Sequence, residues 1–249
     1  MKIAVCISHV PDTATRIKIG GDGKTLDPSG VTFIINPYDE FAIEEALKTK
    51  ESLGTGEVVV ITLGAEPAKE TIRKALAMGV DNAVLLKEDV SRDSLGVAKA
   101  LAEEIKSQNA QLIFMGKQSV DYDNSIVGQL TAELLRYNCV SVVVKLILDG
   151  NKIIAEREIE GGREVVQTSL PVIITCQKGL NEPRYASLKG IMAAKKKVIE
   201  EKTPAQYIPS TEIVSMNLPP AKKPGRIVGN DVSAVPELVR LLREEAKVI

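Results

Sequence analysis

"AQLIFMGKQSVDYDNSIVGQLTAELLRY", residues 110–137, carries an apolar run, a polar loop and a helical pattern in that order. "AQLIFMG" is short, continuously apolar and stops at Gly116, as a strand buried on both faces should. The loop "GKQSVDYDNS" follows, and "SIVGQLTAELLRY" then brings apolar residues back at helical spacing. A buried strand feeding a helix through a polar loop is the repeating unit of a parallel α/β sheet.

Working outward, the same unit recurs. "KIAVCIS" (Lys2–Ser8), "EVVVITLG" (Glu57–Gly64) and "NAVLL" (Asn82–Leu86) read as strands. "YDEFAIEEALKTKESLG" puts Phe41, Ile43, Ala46 and Leu47 on one helical face, with acids early, lysines late and Gly54 just after. "AKETIRKALAMG" is a helix closed by Gly79, and "SRDSLGVAKALAEEIKSQ" a helix with Ser91 as its cap. This rhythm to about residue 137 predicts a doubly wound, mainly parallel sheet. "CVSVVVKLILDGNKIIAEREIEGGREVVQTSLPVIIT" (139–175) is β-branched and broken by turn signals, which predicts antiparallel additions to that sheet. Past residue 180 the patterning fades, with prolines at 183, 204, 209, 219, 220 and 224, before "AVPELVRLLREEAKVI" predicts a last helix. The division expected is an α/β domain over 1–180 and an extended C-terminal arm over 181–249, wrapped over its own domain or a partner.

Composition narrows the function. The 249 residues are 44% hydrophobic and 26% charged, with 32 basic against 33 acidic side chains, so bulk charge gives no nucleic-acid or membrane binder. Aromatics make up 3% with no Trp, which argues against base-stacking platforms. Cys6, Cys139 and Cys176 form no C-x-x-C pair, and each lies in or beside an apolar run, where a small buried hydrophobe is expected. No apolar run reaches the roughly 20 residues that span a bilayer. "MKIAVCIS" reads as a strand rather than a targeting segment, and the expectation is a cytoplasmic protein.

In an open α/β sheet, ligands bind outside the carboxyl ends of the strands. "SHVPD" (Ser8–Asp12), "LGAEP" (Leu63–Pro67) and "GKQSVDYDNS" (Gly116–Ser125) fall there. The last has Gly116 for close approach, the polar Asp121, Asp123 and Asn124, and Ser125 at a helix start whose N–H groups suit a phosphate. The same spacing also suits a capped helix behind a polar turn. His9, the one histidine, has no nucleophile near it in sequence. "GGDG" (Gly20–Gly23) reads as a hairpin turn. Neither G-x-G-x-x-G nor a P-loop motif occurs, and no catalytic constellation is visible.

Five stretches together go further: "INPYDEFAIEEAL", "ETIRKALAMGVD", "GKQSVDYDN…GQLTAELL", "EREIEGG" and "LNEPRYASLKGIMAAKKK". In these the chain resembles, over its whole length, the β subunit of electron transfer flavoproteins. The resemblance implies a heterodimer with an α subunit that holds most of the contacts to a shared FAD. It implies electrons taken from flavin-dependent dehydrogenases and passed toward a quinone-linked oxidoreductase, with no acid, base or nucleophile in this chain. It further implies an adenine-nucleotide pocket, in many members occupied by AMP. The matching positions are Cys6, Asn36, Pro37, Tyr38, Asp39, Leu63 and the loop Gly116, Lys117, Gln118, Ser119, Val120, Asp121, Tyr122, Asp123, Asn124, Ser125, Ile126 and Val127. Where the AMP-type pattern has Asn-Gln-Thr beside the phosphate, this chain has Ser125-Ile126-Val127. "VPDT" (Val10–Thr13), "NPYD" and the Val-Gly of "IVGQ" lean instead toward members that hold a second FAD there and bifurcate electrons, whereas "GKQ" and "LNEPRYASL" favour AMP.

The segment Leu180–Lys197 matches the family's recognition loop, with Leu188 as the side chain inserted into the partner dehydrogenase. Tyr185, Ile191 and Met192 flank it, and Lys195–Lys197 would steer an acidic partner. Glu158 matches an acid that pairs with an arginine of the mobile flavin domain. Two rivals of another class are an adenine-nucleotide hydrolase-like enzyme and a stand-alone nucleotide sensor. The first needs an S-G-G-x-D loop that "CISHVPD" lacks, and the second leaves the arm unexplained.

Overall fold

The computed structural model describes residues 1–222 and 224–249. Eleven strands are found among them: β1 (Lys2–Cys6), β2 (His9–Pro11), β3 (Phe33–Ile35), β4 (Glu57–Gly64), β5 (Asn82–Lys87), β6 (Leu112–Gly116), β7 (Asn138–Asp149), β8 (Lys152–Ile159), β9 (Gly162–Ser169), β10 (Val172–Cys176) and β11 (Glu200–Lys202). The helices are α1 (Pro37–Leu53), α2 (Ala68–Met78), α3 (Ser94–Ser107), α4 (Val127–Leu135), α5 (Leu188–Lys196) and α6 (Val235–Glu244), the last led in by a 3₁₀ turn, Val232–Ala234.

One nine-stranded sheet runs β11-β5-β4-β1-β6-β10-β7-β8-β9, and β2 pairs with β3 as a separate ribbon. From β11 to β7 every neighbour is parallel, while β8 and β9 add antiparallel at the far edge. Successive side chains of a strand face opposite ways, so each central strand feeds two cores. Ile3, Val5, Val58, Val60, Leu112 and Phe114 pack under α1 and α2. Ala4, Cys6, Val59, Ile61, Ile113 and Met115 pack under α3 and α4. That is the doubly wound arrangement expected from the sequence. No described helix is long and apolar enough to cross a membrane.

Several local readings change. Asp93, not Ser91, caps α3, because its carboxylate reaches the Gly96 amide at 2.8 Å. The stretch 139–175 is not all antiparallel: β10 doubles back to lie between β6 and β7, parallel to both. Cys6 and Cys176 are buried, but Cys139, at the sheet surface near the start of β7, is exposed. "GGDG" does turn the chain, through Gly23 at φ 66° and Asp22 Oδ1 accepting the Lys24 and Thr25 amides, but a single bridge, Ile19 to Leu26, replaces a hairpin. The segment from 188 to 202 is not irregular: α5 packs on α2, and β11 extends the sheet beside β5.

Candidate functional site

Strand order reverses at β1. The chain moves outward through β4 to β5, then crosses to β6 on the other side. The crevice at such a reversal is where open α/β sheets take ligands. Its mouth here lies between Cys6, which ends β1, and Gly116, which ends β6.

Asp39, in the first turn of α1, spans that mouth. Its Oδ2 accepts the Ser8 amide at 2.7 Å and its Oδ1 the Gly116 amide at 2.9 Å. Burial pushes the carboxyl up to about 7, with the bonds from Ser8, Asn36 and Gly116 acting the other way. Gly116 is what lets the loop come so close, since a Cβ there would lie 2.3 Å from Asp39 Oδ1. Asn36, fully buried, pins the next residues: its Nδ2 donates to the Gln118 carbonyl at 2.8 Å, and its Oδ1 accepts the Val120 amide at 3.2 Å. "NPYD" thus spends its polar atoms on shaping the 116–120 loop. The Lys117 ammonium sits 5.1 Å over the Tyr38 ring.

The remainder of the loop is tied internally and to α3. Gln118 Nε2 donates to Asp123 Oδ1 at 2.5 Å, Ser125 Oγ donates to Gln118 Oε1 at 2.9 Å, and Ser119 Oγ donates to Asp121. Tyr122 Oη lies 3.3 Å from Ser91 Oγ, and Asn124 Nδ2 donates to Ser94 Oγ at 2.9 Å. Asp123 and Ser125 both hold left-handed backbone, at φ 53° and 50°. Helix α4 then begins at Val127, two residues later than the sequence suggests, and its N-cap is Ile126. The Ile126 side chain has no acceptor to offer, and no side chain among the described residues caps the helix. The first amides of a helix have no partner within it, and a helix start left in that state is suited to an anion. Gln129 Oε1, in the same first turn, is buried without a hydrogen-bond partner among the described residues. The free amides at the start of α4 suit an anion, whereas Gln129 Oε1 calls for a donor.

Cys6 is buried and Leu63 half-buried, both on the α3/α4 face of the sheet. Burial drives the Cys6 thiol far above its ordinary range, which suits a packing role. His9 is accounted for by the fold: its Nδ1 is 2.6 Å from Thr71 Oγ1, and its ring stacks on Phe33 with centroids 4.5 Å apart. A cleft of about 480 Å³ between Asp12–Lys18 and Asp27–Thr32 shares no residue with the crevice. Its open, mixed-charge lining includes no buried polar group, so the crevice is the better-built site.

Far from the crevice, Tyr185 is 99% exposed and Leu188 84%, with Met192 and Ile191 also exposed. These apolar side chains stand on α5 and the turn before it, away from either core. Of the three lysines behind them, Lys195 and Lys196 are exposed, whereas Lys197 Nζ donates to the Val80 carbonyl at 2.5 Å. Glu158, half-buried on β8, accepts from Gln177 Nε2 at 2.9 Å. Sequence reasoning missed Asp93 and Tyr207, whose contact ties the arm to α3 beside the loop; a chain separation of 114 residues leaves no local signal.

The fold and the crevice define a doubly wound α/β protein with an open crevice at its switch point. Comparison with known proteins is more specific. Residues 24–207 match the family described as "Electron transfer flavoprotein domain". The whole chain is 40% identical over 249 residues to the electron transfer flavoprotein subunit beta of Bradyrhizobium diazoefficiens, covering all of that protein. It is 40% identical over 260 residues to the same subunit of Bacillus subtilis, again with both chains fully covered. The Mus musculus subunit is 36% identical over 253 residues, covering all of this chain and 99% of the other. The chain belongs to the electron transfer flavoprotein family, and its likeness is to the β subunit, an electron carrier's subunit paired with an α subunit.

Proposed function

We propose that the chain binds an adenine nucleotide in the β1/β6 crevice, with AMP favoured, walls the FAD site of its α subunit, and docks flavin-dependent dehydrogenases through the Tyr185–Met192 segment. Electrons would then leave toward a quinone-linked oxidoreductase. The observation that carries the nucleotide reading is the uncapped start of α4 beside the switch point. Gly116 to Val127 would cradle the phosphate, while Cys6 and Leu63 would contribute apolar wall. Asn36 and Asp39 would act indirectly, by holding the loop in shape.

FAD, when bound, supplies the electron-carrying chemistry. This chain's part is to bind, orient and dock, and none of its side chains is assigned a proton transfer or a nucleophilic attack. Leu188 would be a single apolar anchor on a small footprint, a geometry that lets partners exchange quickly. Glu158 would face the mobile flavin domain, with Gln177 orienting it. The C-terminal arm leaves Ile208, Val214, Ile227 and Val232 largely exposed, the surface expected of a subunit completed by another chain.

A second FAD in the same crevice is the other reading, favoured by Ile126 and Val127, which offer backbone donors and apolar surface where the AMP-type pattern has polar side chains. Denaturing the purified heterodimer and quantifying released nucleotides tests both. One FAD and one AMP per heterodimer supports the first reading, and two FADs with no AMP the second. A crevice that carries neither overturns the nucleotide assignment.

A further inference from the structure

The exposed docking segment is held at both ends by groups that the proposed function does not use. On its amino-terminal side, Arg184 is clamped between two acids of α1. Its Nε and Nη2 donate to Glu44 at 2.8 and 2.9 Å, and its Nη1 and Nη2 donate to Glu51 at 2.5 and 3.0 Å. Its backbone amide also donates to Glu44 Oε2, at 3.1 Å. Three residues earlier, Asn181 Nδ2 donates to the Phe41 carbonyl at 3.0 Å and to Glu45 Oε2 at 2.9 Å.

At the other end, Arg73 of α2 reaches across to cap α5. Its Nη1 donates to the Ala194 carbonyl at 2.6 Å and also to the Lys197 carbonyl. The Ala194 carbonyl also accepts the Lys197 amide at 3.2 Å, so Arg73 adds a second donor there and holds the carbonyl of Lys197, the residue just past the helix. Between the two ends, α5 lies so close on α2 that a Cβ at Gly190 would stand 2.3 Å from the Ala77 carbonyl oxygen. Ser187 Oγ caps the start of α5 by accepting the Gly190 amide at 3.0 Å.

The contrast within a few residues is what needs explaining. Glu44 is only 5% exposed, and a buried carboxylate is costly unless it is paired. The chain pairs it with an arginine on the docking segment, while Tyr185 and Leu188 beside that arginine touch almost nothing of their own fold. A surface loop that served only to join β10 to β11 would not need a two-carboxylate clamp, a capped carbonyl end and a close helix contact. Rigid presentation of an anchor lowers the ordering cost that docking must meet.

We propose that Arg184 and Arg73 are positioning residues that preorganise α5, so that Leu188 is presented to a dehydrogenase in one orientation. This rests on the docking reading above. Arg184 is the more specific of the two, because its planar guanidinium meets both carboxylates with paired donors in a fixed fork that an ammonium cannot reproduce.

The test uses the α/β heterodimer and a flavin-dependent dehydrogenase that reduces the wild-type protein. In Arg184→Lys, amides 187–197 should exchange with deuterium about tenfold faster while those of the central strands are unchanged. The KM for the heterodimer should rise about fivefold with kcat unaltered, since only docking has lost its preorganisation. Glu51→Gln, which removes the outer half of the clamp and leaves Glu44 paired, should move both readouts the same way by less. It also stands in if Arg184→Lys folds poorly. Unchanged exchange at 187–197 in Glu51→Gln and in any folded Arg184→Lys overturns the clamp. Faster exchange with an unchanged KM reduces Arg184 to a structural contact and overturns its positioning role. Leu188→Ala separates the two ideas: it should raise KM without changing exchange, and an unchanged KM there sinks the docking reading itself.

Discussion

Helices α3 and α4 lie side by side on one face of the sheet, yet their first turns are treated in opposite ways. The start of α3 is sealed by the protein: Asp93 accepts the Gly96 amide at 2.8 Å, the Tyr207 hydroxyl at 2.9 Å, and the Ser210 and Thr211 amides at 2.7 and 3.2 Å. The start of α4 has Ile126 where a capping oxygen would stand, and no side chain among the described residues fills in. Of the four donors on Asp93 one belongs to α3 and three to the arm, whereas the first amides of α4 meet no side-chain acceptor among the described residues. The seal at α3 holds the arm, and the gap at α4 is where the proposed phosphate would sit.

The largest expected effect comes from closing that gap. Ile126→Asp puts a carboxylate where the phosphate would sit, and AMP affinity of the heterodimer should fall at least about a hundredfold, read by titration calorimetry. Thermal stability should not drop, because an acid at a helix start is favourable there. A variant that binds AMP as well as wild type would mean that α4 does not hold the phosphate.

The sheet and the loop that frame this contrast were visible beforehand, whereas the contrast itself was hidden for a physical reason. The doubly wound sheet followed from apolar runs separated by helical spacing, and the place of the loop proposed to hold the ligand followed from Gly116 at a strand end. The position of the α4 cap was misread because Ser125 looks like a cap, whereas its hydroxyl is spent on Gln118 and its backbone is left-handed. Helix α5 was invisible because its outward face is apolar and its inward face is mostly backbone, set by Gly190 and Ala194. Neither the Asp39 strut nor the Asp93 latch could be read, since both join residues far apart in the chain.

Two acids sharpen the comparison through pH. Asp39 is buried, and desolvation raises its carboxyl to about 7, so the folded state holds a proton that the unfolded chain has released. Stability should therefore decline as pH rises from about 4 to about 7, by a few kcal/mol at most, and Asp39→Asn should flatten that decline in urea titrations. A decline of unchanged slope in the variant would assign it to other groups. Asp93 behaves oppositely. It is partly exposed, and the bonds from Gly96, Tyr207, Ser210 and Thr211 outweigh desolvation and lower its carboxyl. Its contribution is complete above the unfolded value of about 3.9 and is lost as pH falls through the lower folded value, so the arm should detach from α3 only in strong acid.

At neutral pH, Asp93→Ala should cost about 2 kcal/mol in urea unfolding, combining a lost helix cap with lost arm donors. Protease cleavage within residues 203–212 should rise in parallel. Tyr207→Phe, which removes one hydroxyl but keeps the ring within reach of the Arg92 and Lys99 cations, should cost only about 1 kcal/mol. Equal effects from the two variants would show that Asp93 caps nothing beyond Tyr207.

The most direct test of the nucleotide site compares AMP with adenosine on a heterodimer stripped of bound nucleotide. If the open start of α4 captures a phosphate, AMP should bind at least about a hundredfold more tightly than adenosine at low salt. Equal affinities for the two would contradict the account, because the phosphate would then find no partner in the helix that the fold leaves uncapped.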